Sequence, residues 1–169
     1  MWFVFLILLA LPLHAKVDPQ NYDFSTDTLA EFFPGQTLAT IEAKYGKGEL
    51  MRDANGTRTM RFWVSQIRYK FPVLVQVDQE KILDMFATLP SYFLHDIFHQ
   101  SLIKRWGKQQ KYKRVDEEAY YRWEDADKIM HYSASCTITC FPIYFSVAPG
   151  KDKAPAGFRS QHEQLQTTP

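Results

Sequence analysis

Apolar and polar residues alternate along two stretches in the first half of the chain. Met60, Phe62 and Val64 share one side of the stretch 57–64, and the apolar residues of 67–77 alternate in the same way. Alternation of this kind gives a strand one dry and one wet face, which is typical of an antiparallel sheet. The Asn-Gly pair at 55–56 favours a tight hairpin between strands. We therefore predict a β-meander in this region.

A short amphipathic helix is predicted before the meander. Leu38, Ile41 and Tyr45 fall on one helical face. Thr37 suits the N-cap position, because its hydroxyl can accept from an unpaired amide of the first turn. Gly46 stands where a left-handed residue ends a helix.

A further helix is predicted after the meander, over residues 79–88. Asp78 would cap it, Ile82, Leu83 and Phe86 would form its apolar face, and Pro90 would close it.

The whole arrangement occurs twice, at an offset of 61 residues. Residues 45–47 (Tyr-Gly-Lys) return as 106–108 (Trp-Gly-Lys), and 60–62 (Met-Arg-Phe) return as 121–123 (Tyr-Arg-Trp). A shared offset indicates one supersecondary unit used twice. At this offset the inward positions Tyr69, Phe71, Val73, Val75 and Val77 correspond to Met130, Tyr132, Ala134, Cys136 and Ile138.

The repeat predicts the fold class. We expect an α+β domain over residues 31–148, made of two tandem units, 31–90 and 91–148. Each unit is a short helix followed by an antiparallel β-meander, and the two form one curved sheet packed on helices.

The two ends of the chain are predicted to lie outside this domain. Trp2 to Leu13 is an apolar run of twelve residues followed by a small residue at 15, which is typical of a secretory signal over residues 1–15. A run of this length is too short to span a bilayer, which takes about twenty residues. A buried N-terminal strand or an uncleaved anchor is the alternative. Residues 16–30 are predicted to be an extended leader, and 149–169 a disordered polar tail.

Charge and composition narrow the class of partner. The net charge of +1 does not favour a nucleic-acid partner, for which a basic face is expected. No second apolar run is long enough to cross a membrane, so we predict no transmembrane span in the mature chain. Together with the signal, this predicts a periplasmic or secreted protein, with association with the cell envelope possible.

The cysteines leave two alternatives open. Cys136 and Cys140 are an even pair, which an exported chain normally oxidises. In a strand, residues four apart are separated by about 13 Å, whereas a disulfide needs Cα atoms within about 7 Å. Either a bulge or tight turn interrupts the strand and the two are bonded, or the thiols are free.

Candidate catalytic chemistry is sparse. His95 and His99 lie one helical turn apart and could chelate a metal, which supports a metal-dependent hydrolase as a third hypothesis. A catalytic site needs a third ligand, and the sequence places none beside them. We predict a polar helix start with solvated histidines, no catalytic residues and no cofactor.

Outward-facing aromatic and arginine residues are the remaining signal. Trp63, with Arg61 and Arg68, shares the outer face of the first meander, and Tyr120 with Arg122 shares that of the second. Trp, Tyr and Arg dominate the energetics of protein interfaces. We predict a non-enzymatic protein-binding module of unknown partner, with one continuous contact face if the two meanders align. The alternative is a small-ligand or lipid carrier with an aromatic-lined cavity beside Tyr69, Tyr121 and Tyr132.

The helix opening resembles that of two related groups. Residues 35–37 (Gly-Gln-Thr), Ile41 and residues 45–47 are similar to the β-lactamase-inhibitory-protein-like domains and to small outer-membrane assembly lipoproteins. The resemblance covers about residues 34–148. It implies an inhibitor-like or envelope-assembly accessory protein that binds another protein on an aromatic sheet surface. The chain differs in lacking a cysteine in its first unit and a lipoprotein cysteine.

Overall fold

The protein is an α+β fold built on one antiparallel sheet. A computed structural model describes residues 26–54, 56–66, 69–91 and 93–166. In these residues the helices are α1 (Asp27–Ala30), α2 (Leu38–Tyr45), α3 (His95–Trp106) and α4 (Gln161–Gln166). The strands are β1 (Glu49–Ala54), β2 (Thr57–Gln66), β3 (Tyr69–Asp78), β4 (Lys81–Thr88), β5 (Lys111–Val115), β6 (Glu118–Glu124), β7 (Lys128–Cys136) and β8 (Cys140–Pro149). The predicted signal segment and Arg68 lie outside the described residues.

The predicted tandem arrangement is confirmed. Each unit consists of a helix followed by four strands, and the sheet order is β1-β2-β3-β4-β8-β7-β6-β5. The two meanders meet where β4 pairs with β8, with Phe86 opposite Ser146. The last strands of the units therefore lie at the centre, and the first strands, β1 and β5, form the two edges.

The repeat offset changes along the units. Phe62 and Trp123 are repeat equivalents, and they pair with Val73 and Met130 respectively. Met130 therefore corresponds to Val73, 57 residues before it. The sequence pairing of Met130 with Tyr69 is wrong by four residues. A shift of four residues is even, so each side chain stays on the same face of the sheet. For this reason the apolar–polar alternation did not reveal the change of offset.

The predicted helix over 79–88 is wrong, because these residues form a turn and β4. Gln79 and Glu80 have φ values of 45° and 64°, which are not helical. A bulge at Leu83 then lets Ile82 and Met85 both pair with inward valines of β3. Residues three apart share a face in this strand, and that spacing imitates a helix.

The core fills the space between the sheet and α1 to α3. Leu38 and Ile41 of α2 and Phe98 and Leu102 of α3 are buried against the inner face. Gly46 and Gly107 end these helices with φ near 80° (81° and 77°), as the sequence predicts for the first. No helix in the described part of the chain combines the length and hydropathy needed to cross a membrane.

The segment before α2 is less extended than predicted. Residues 27–30 form α1, and Leu29 and Phe32 are fully buried. Two apolar residues three apart share one side of a helical turn, and both add to the core. Within 26–30 the expectation of an extended leader is therefore wrong.

The predicted disordered tail is also wrong for the described residues up to 166. Its segment crosses the outer face of the sheet, and Ser160, Gln161 and His162 are buried there. The Asp84 carboxylate of β4 accepts hydrogen bonds from the main-chain N–H and side-chain amide of both Gln76 and Gln161, at 2.6–3.2 Å. Polar composition indicated disorder, but the segment is held by polar partners on the sheet.

Candidate functional site

The two predicted Arg–aromatic patches share one outer face but lie far apart. Trp63 is on β2 and Tyr120 is on β6, five strand spacings away in the sheet order. At about 4.8 Å per strand this separates them by about 24 Å.

The middle of that face is covered. His162 of α4 stacks on His131 with ring centroids 4.0 Å apart, and it lies 5.4 Å from Tyr144. The Gln161–Asp84 contacts fix the same segment over β4. The predicted continuous contact face is therefore wrong: the meanders do align, but the C-terminal segment lies between the patches.

In the first patch, charge is already balanced. Arg61 donates through Nη2 and Nε to Glu49 Oε2, at 2.6 and 3.1 Å. The guanidinium also lies 5.4 Å from the ring centroid of Trp63, whose side chain is 46% exposed. Arg68, the third member of the predicted patch, lies outside the described residues.

The second patch adjoins the free edge of the sheet. Arg122 donates to Glu124 at 2.9 Å. The Tyr120 hydroxyl donates to Glu118, and this bond, followed by burial, raises the pKa of Tyr120 to about 12. Tyr120 pairs with Lys113 of β5, and Arg122 pairs with Lys111. The patch therefore continues onto the edge strand.

Strand β5 is basic and exposed along its whole length. All five residues, Lys111 to Val115, are exposed, and three of them are Lys111, Lys113 and Arg114. An open cleft of about 860 Å³ runs around the β5–β6 edge, lined by side chains from both faces of the sheet. On the outer side these include Lys111, Lys113, Tyr120, Arg122, His131, Tyr144 and His162.

A disulfide lies at the turn between β7 and β8. Cys136 pairs with Cys140 across a tight turn, and the two are bonded with Cα atoms 4.0 Å apart. Of the two alternatives, the structure shows the interrupted strand. Ile138, predicted to face inward, lies at the tip of the turn and is fully exposed.

The predicted solvated histidines are instead part of a packed cluster on the inner face. His95 is 7% exposed, and its Nδ1 lies 2.8 Å from the Tyr132 hydroxyl. The His99 ring lies 4.3 Å from the Tyr121 ring, and Tyr121 stacks on Tyr132 at 5.5 Å. We call Tyr112, Tyr121, Tyr132, His95 and His99 the tyrosine–histidine cluster.

Burial disfavours the charged forms of His95, His99, Tyr121 and Tyr132 in this cluster. It lowers the pKa of His95 and His99, and the pKa of His99 is lowered further by the neighbouring His95. Burial likewise raises the pKa of Tyr121 and Tyr132. Among the described residues, no group of three or more His, Cys, Asp or Glu side chains is placed to hold a metal ion.

Sequence reasoning missed Tyr112 and the lysines of β5. A signal was present in the repeat itself, since Tyr112 and Tyr121 stand where the first unit has Leu50 and Met60. Where two copies of one unit differ in polarity, the shared fold does not require either residue type.

No family model matches the chain, and no curated protein matches it. A solved structure of a DUF4309 family protein (YjgB) from Bacillus subtilis is similar in shape, with a TM-score of 0.43 and 14% sequence identity. The similarity covers 68% of this chain and 78% of that one.

Proposed function

We propose that the protein is an exported, non-enzymatic binding module that pairs strand β5 with an acidic, extended segment of a partner protein. The observation that carries the proposal is the character of this edge. In the described part of the chain, Lys111, Lys113 and Arg114 are all exposed on a strand that is paired on one side only. Within the described residues none of them forms an ion pair with a carboxylate.

Edge strands bind extended segments through main-chain hydrogen bonds, and side chains at alternate positions provide specificity. Lys111 and Lys113 point to the outer face, beside Arg122 and Tyr120. Carboxylates at alternate positions of an added strand would lie next to these two lysines. The same lysines oppose pairing of two β5 strands, because like charges would face each other.

The opposite edge supports the choice of β5. Strand β1 carries Glu49 and Asp53 as well as Arg52, and Glu49 is already paired with Arg61. Strand β1 therefore does not present a row of unpaired side chains of one charge that an acidic or a basic segment could bind. Charge complementarity therefore favours one edge for an acidic partner.

Export is part of the proposal. The Cys136–Cys140 disulfide supports it, because structural disulfides persist in oxidising compartments such as the periplasm and the extracellular medium. The apolar run near the N-terminus is the second support.

The test uses fluorescence anisotropy with a labelled peptide that alternates Glu and Val, and with its Lys–Val counterpart. We expect the acidic peptide alone to bind. The double variant Lys111→Glu/Lys113→Glu should bind at least about tenfold more weakly, which corresponds to about 1.4 kcal/mol.

Trp63→Ala is the matched control, because Trp63 is an exposed aromatic on the outer face but far from β5. This variant should bind the peptide as the unchanged protein does. Equal binding by the charge-reversed variant, or no binding of the acidic peptide at all, would refute the edge-strand proposal.

A further inference from the structure

The two units differ most where the tyrosine–histidine cluster lies. Four positions of this cluster have structural equivalents in the first unit, identified by helix position and strand pairing. The pairs are Leu38 and His99, Leu50 and Tyr112, Met60 and Tyr121, and Val75 and Tyr132. In each pair the first unit has an aliphatic or Met side chain, and the second has a ring with a polar atom.

In two of these pairs the exposure is the same although the polarity differs. Leu50 and Tyr112 are both 55% exposed, and Met60 and Tyr121 are 7% and 9% exposed. Apolar side chains therefore close the same architecture in the first unit. The polar rings of the second unit are not required by the fold, and their hydroxyls and ring nitrogens must be satisfied at a cost.

The second unit also has an extra helical turn. Helix α3 has twelve residues and α2 has eight, and both end at equivalent glycines. The additional turn contributes His95 and Asp96. Asp96 is exposed, and His95 is buried.

The rings form a wall that ends at the cleft. Tyr112, Tyr121 and Tyr132 follow one another across three strands, with centroid separations of 5.2 and 5.5 Å. On the inner side, the cleft around the β5–β6 edge is lined by these three tyrosines and Gln110. The exposed ring of Tyr112 is the accessible end of the wall.

Polar groups lie near these tyrosines. His99 Nε2 and Gln109 Oε1 are buried, and neither has a partner with hydrogen-bond geometry among the described residues, although Gln109 acts on the His99 pKa from close by. Arg114 is exposed on the same face of β5 as Tyr112, two residues further along the strand, and it supplies donors there.

We propose that this inner face of the second unit is a binding site for a neutral sugar ring. A pyranose has an apolar face of C–H groups that stacks on an aromatic ring, and a rim of hydroxyls that both donate and accept hydrogen bonds. Stacking on Tyr112, with hydroxyls bonded to Gln110 in the cleft and to Arg114 on the same face of β5, matches that chemistry. The site lies on the opposite face of β5 from the lysines that would contact an acidic segment.

The test is an NMR titration of the full chain with two neutral sugars, maltotriose and tri-N-acetylchitotriose, following the aromatic resonances of Tyr112 and Tyr121 and those of His99. We expect at least one of the sugars to shift these resonances. Replacing Tyr112 by its first-unit counterpart, Tyr112→Leu, should weaken binding about tenfold by removing the stacking ring.

Tyr112→Leu alters an exposed side chain, and retained thermal unfolding will show that the fold is intact. The matched control is Trp63→Ala, which removes an exposed aromatic outside the cleft and should leave sugar binding unchanged. The proposal is overturned if neither sugar shifts the cluster, or if Tyr112→Leu binds the sugar as well as the unchanged protein does.

Discussion

The first and second units share one arrangement of helix and strands but differ in the side chains on the inner face of the sheet. The inner face of the first unit is apolar, and Leu38 of helix α2 is buried there with Met60 and Val75 of the sheet. The second unit has His99, Tyr121 and Tyr132 at the equivalent positions. The same arrangement of helix and strands therefore accommodates either apolar side chains or polar rings at these positions. What differs between the units is therefore a better guide to function than what they share.

On the outer face of the sheet, it is the first unit that has the charged side chain. Asp84 of β4 and Tyr144 of β8 occupy equivalent places next to the bulges at Leu83 and Ile143. The first unit holds the C-terminal segment through a buried carboxylate, and the second holds it through ring contacts with His162. One segment thus joins the two units by two kinds of interaction.

The largest expected effect comes from breaking the carboxylate contact. Asp84→Ala removes the acceptor of four hydrogen bonds. The main-chain N–H groups of Gln76 and Gln161 lose this partner, whereas the Gln76 side-chain amide keeps the Arg159 carbonyl. We expect a loss of about 3 kcal/mol in the free energy of unfolding, measured by urea denaturation.

Limited proteolysis should also show faster cleavage after residue 150 in Asp84→Ala. The isosteric Asp84→Asn is the control, since it keeps one acceptor oxygen and should lose less. Equal stability of the Ala variant and the unchanged protein would contradict the role of this contact.

The next test exchanges polarity in the dry unit. Leu38 is 3% exposed, and Leu38→His places an imidazole where the first unit offers Met60 and Val75 instead of tyrosine hydroxyls. An unsatisfied buried polar group should reduce the free energy of unfolding by about 2–3 kcal/mol. Chemical denaturation measures the change. A loss below about 0.5 kcal/mol would mean that the two helix faces are equally polar.

Acid should weaken the ring contact between the C-terminal segment and the second unit. Burial, and then the charges of His162 and Arg122, lower the pKa of His131 to about 3. The unfolded chain has a histidine pKa of about 6.5, so below that pH it binds a proton that the folded state does not. The contribution of His131 to stability is full above about pH 6.5 and falls toward pH 3, by up to about 1.4 kcal/mol per pH unit.

Urea midpoints at neutral and mildly acidic pH will measure this slope. His131→Phe keeps a ring against His162 but cannot titrate, so its slope should be smaller. Asp84, whose pKa is raised by burial and whose contribution has the opposite sign, is unchanged in both proteins. Identical slopes in the two proteins would exclude His131 as the source.

The smallest expected effect is the reverse exchange in the second unit. His99→Leu copies Leu38 and removes a buried ring nitrogen without a well-placed partner. We expect the free energy of unfolding to change by less than about 1 kcal/mol, and to rise if it changes. A loss comparable to that of Leu38→His would show that His99 serves the fold, and would weaken the case for a ligand site.

Much of the fold was accessible from the sequence, and most of the candidate site was not. Alternation of Met60, Phe62 and Val64 gave the correct inner face, and Gly46 marked the end of α2. The β4 strand was misread, because the bulge at Leu83 produces a helical spacing in an extended chain. The outward positions of Trp63 and Tyr120 were correct, but not their membership of one surface.

The sequence by itself determined the two tandem units and the faces of most of their strands, because these depend on local periodicity and on residue type. Only the tertiary structure decided which strands are edges, where the units join and what covers the outer face. These depend on contacts between residues far apart in the chain, such as Asp84 with Gln161 and Tyr132 with His95. No local pattern encodes such contacts, since each partner alone reads as an ordinary polar residue.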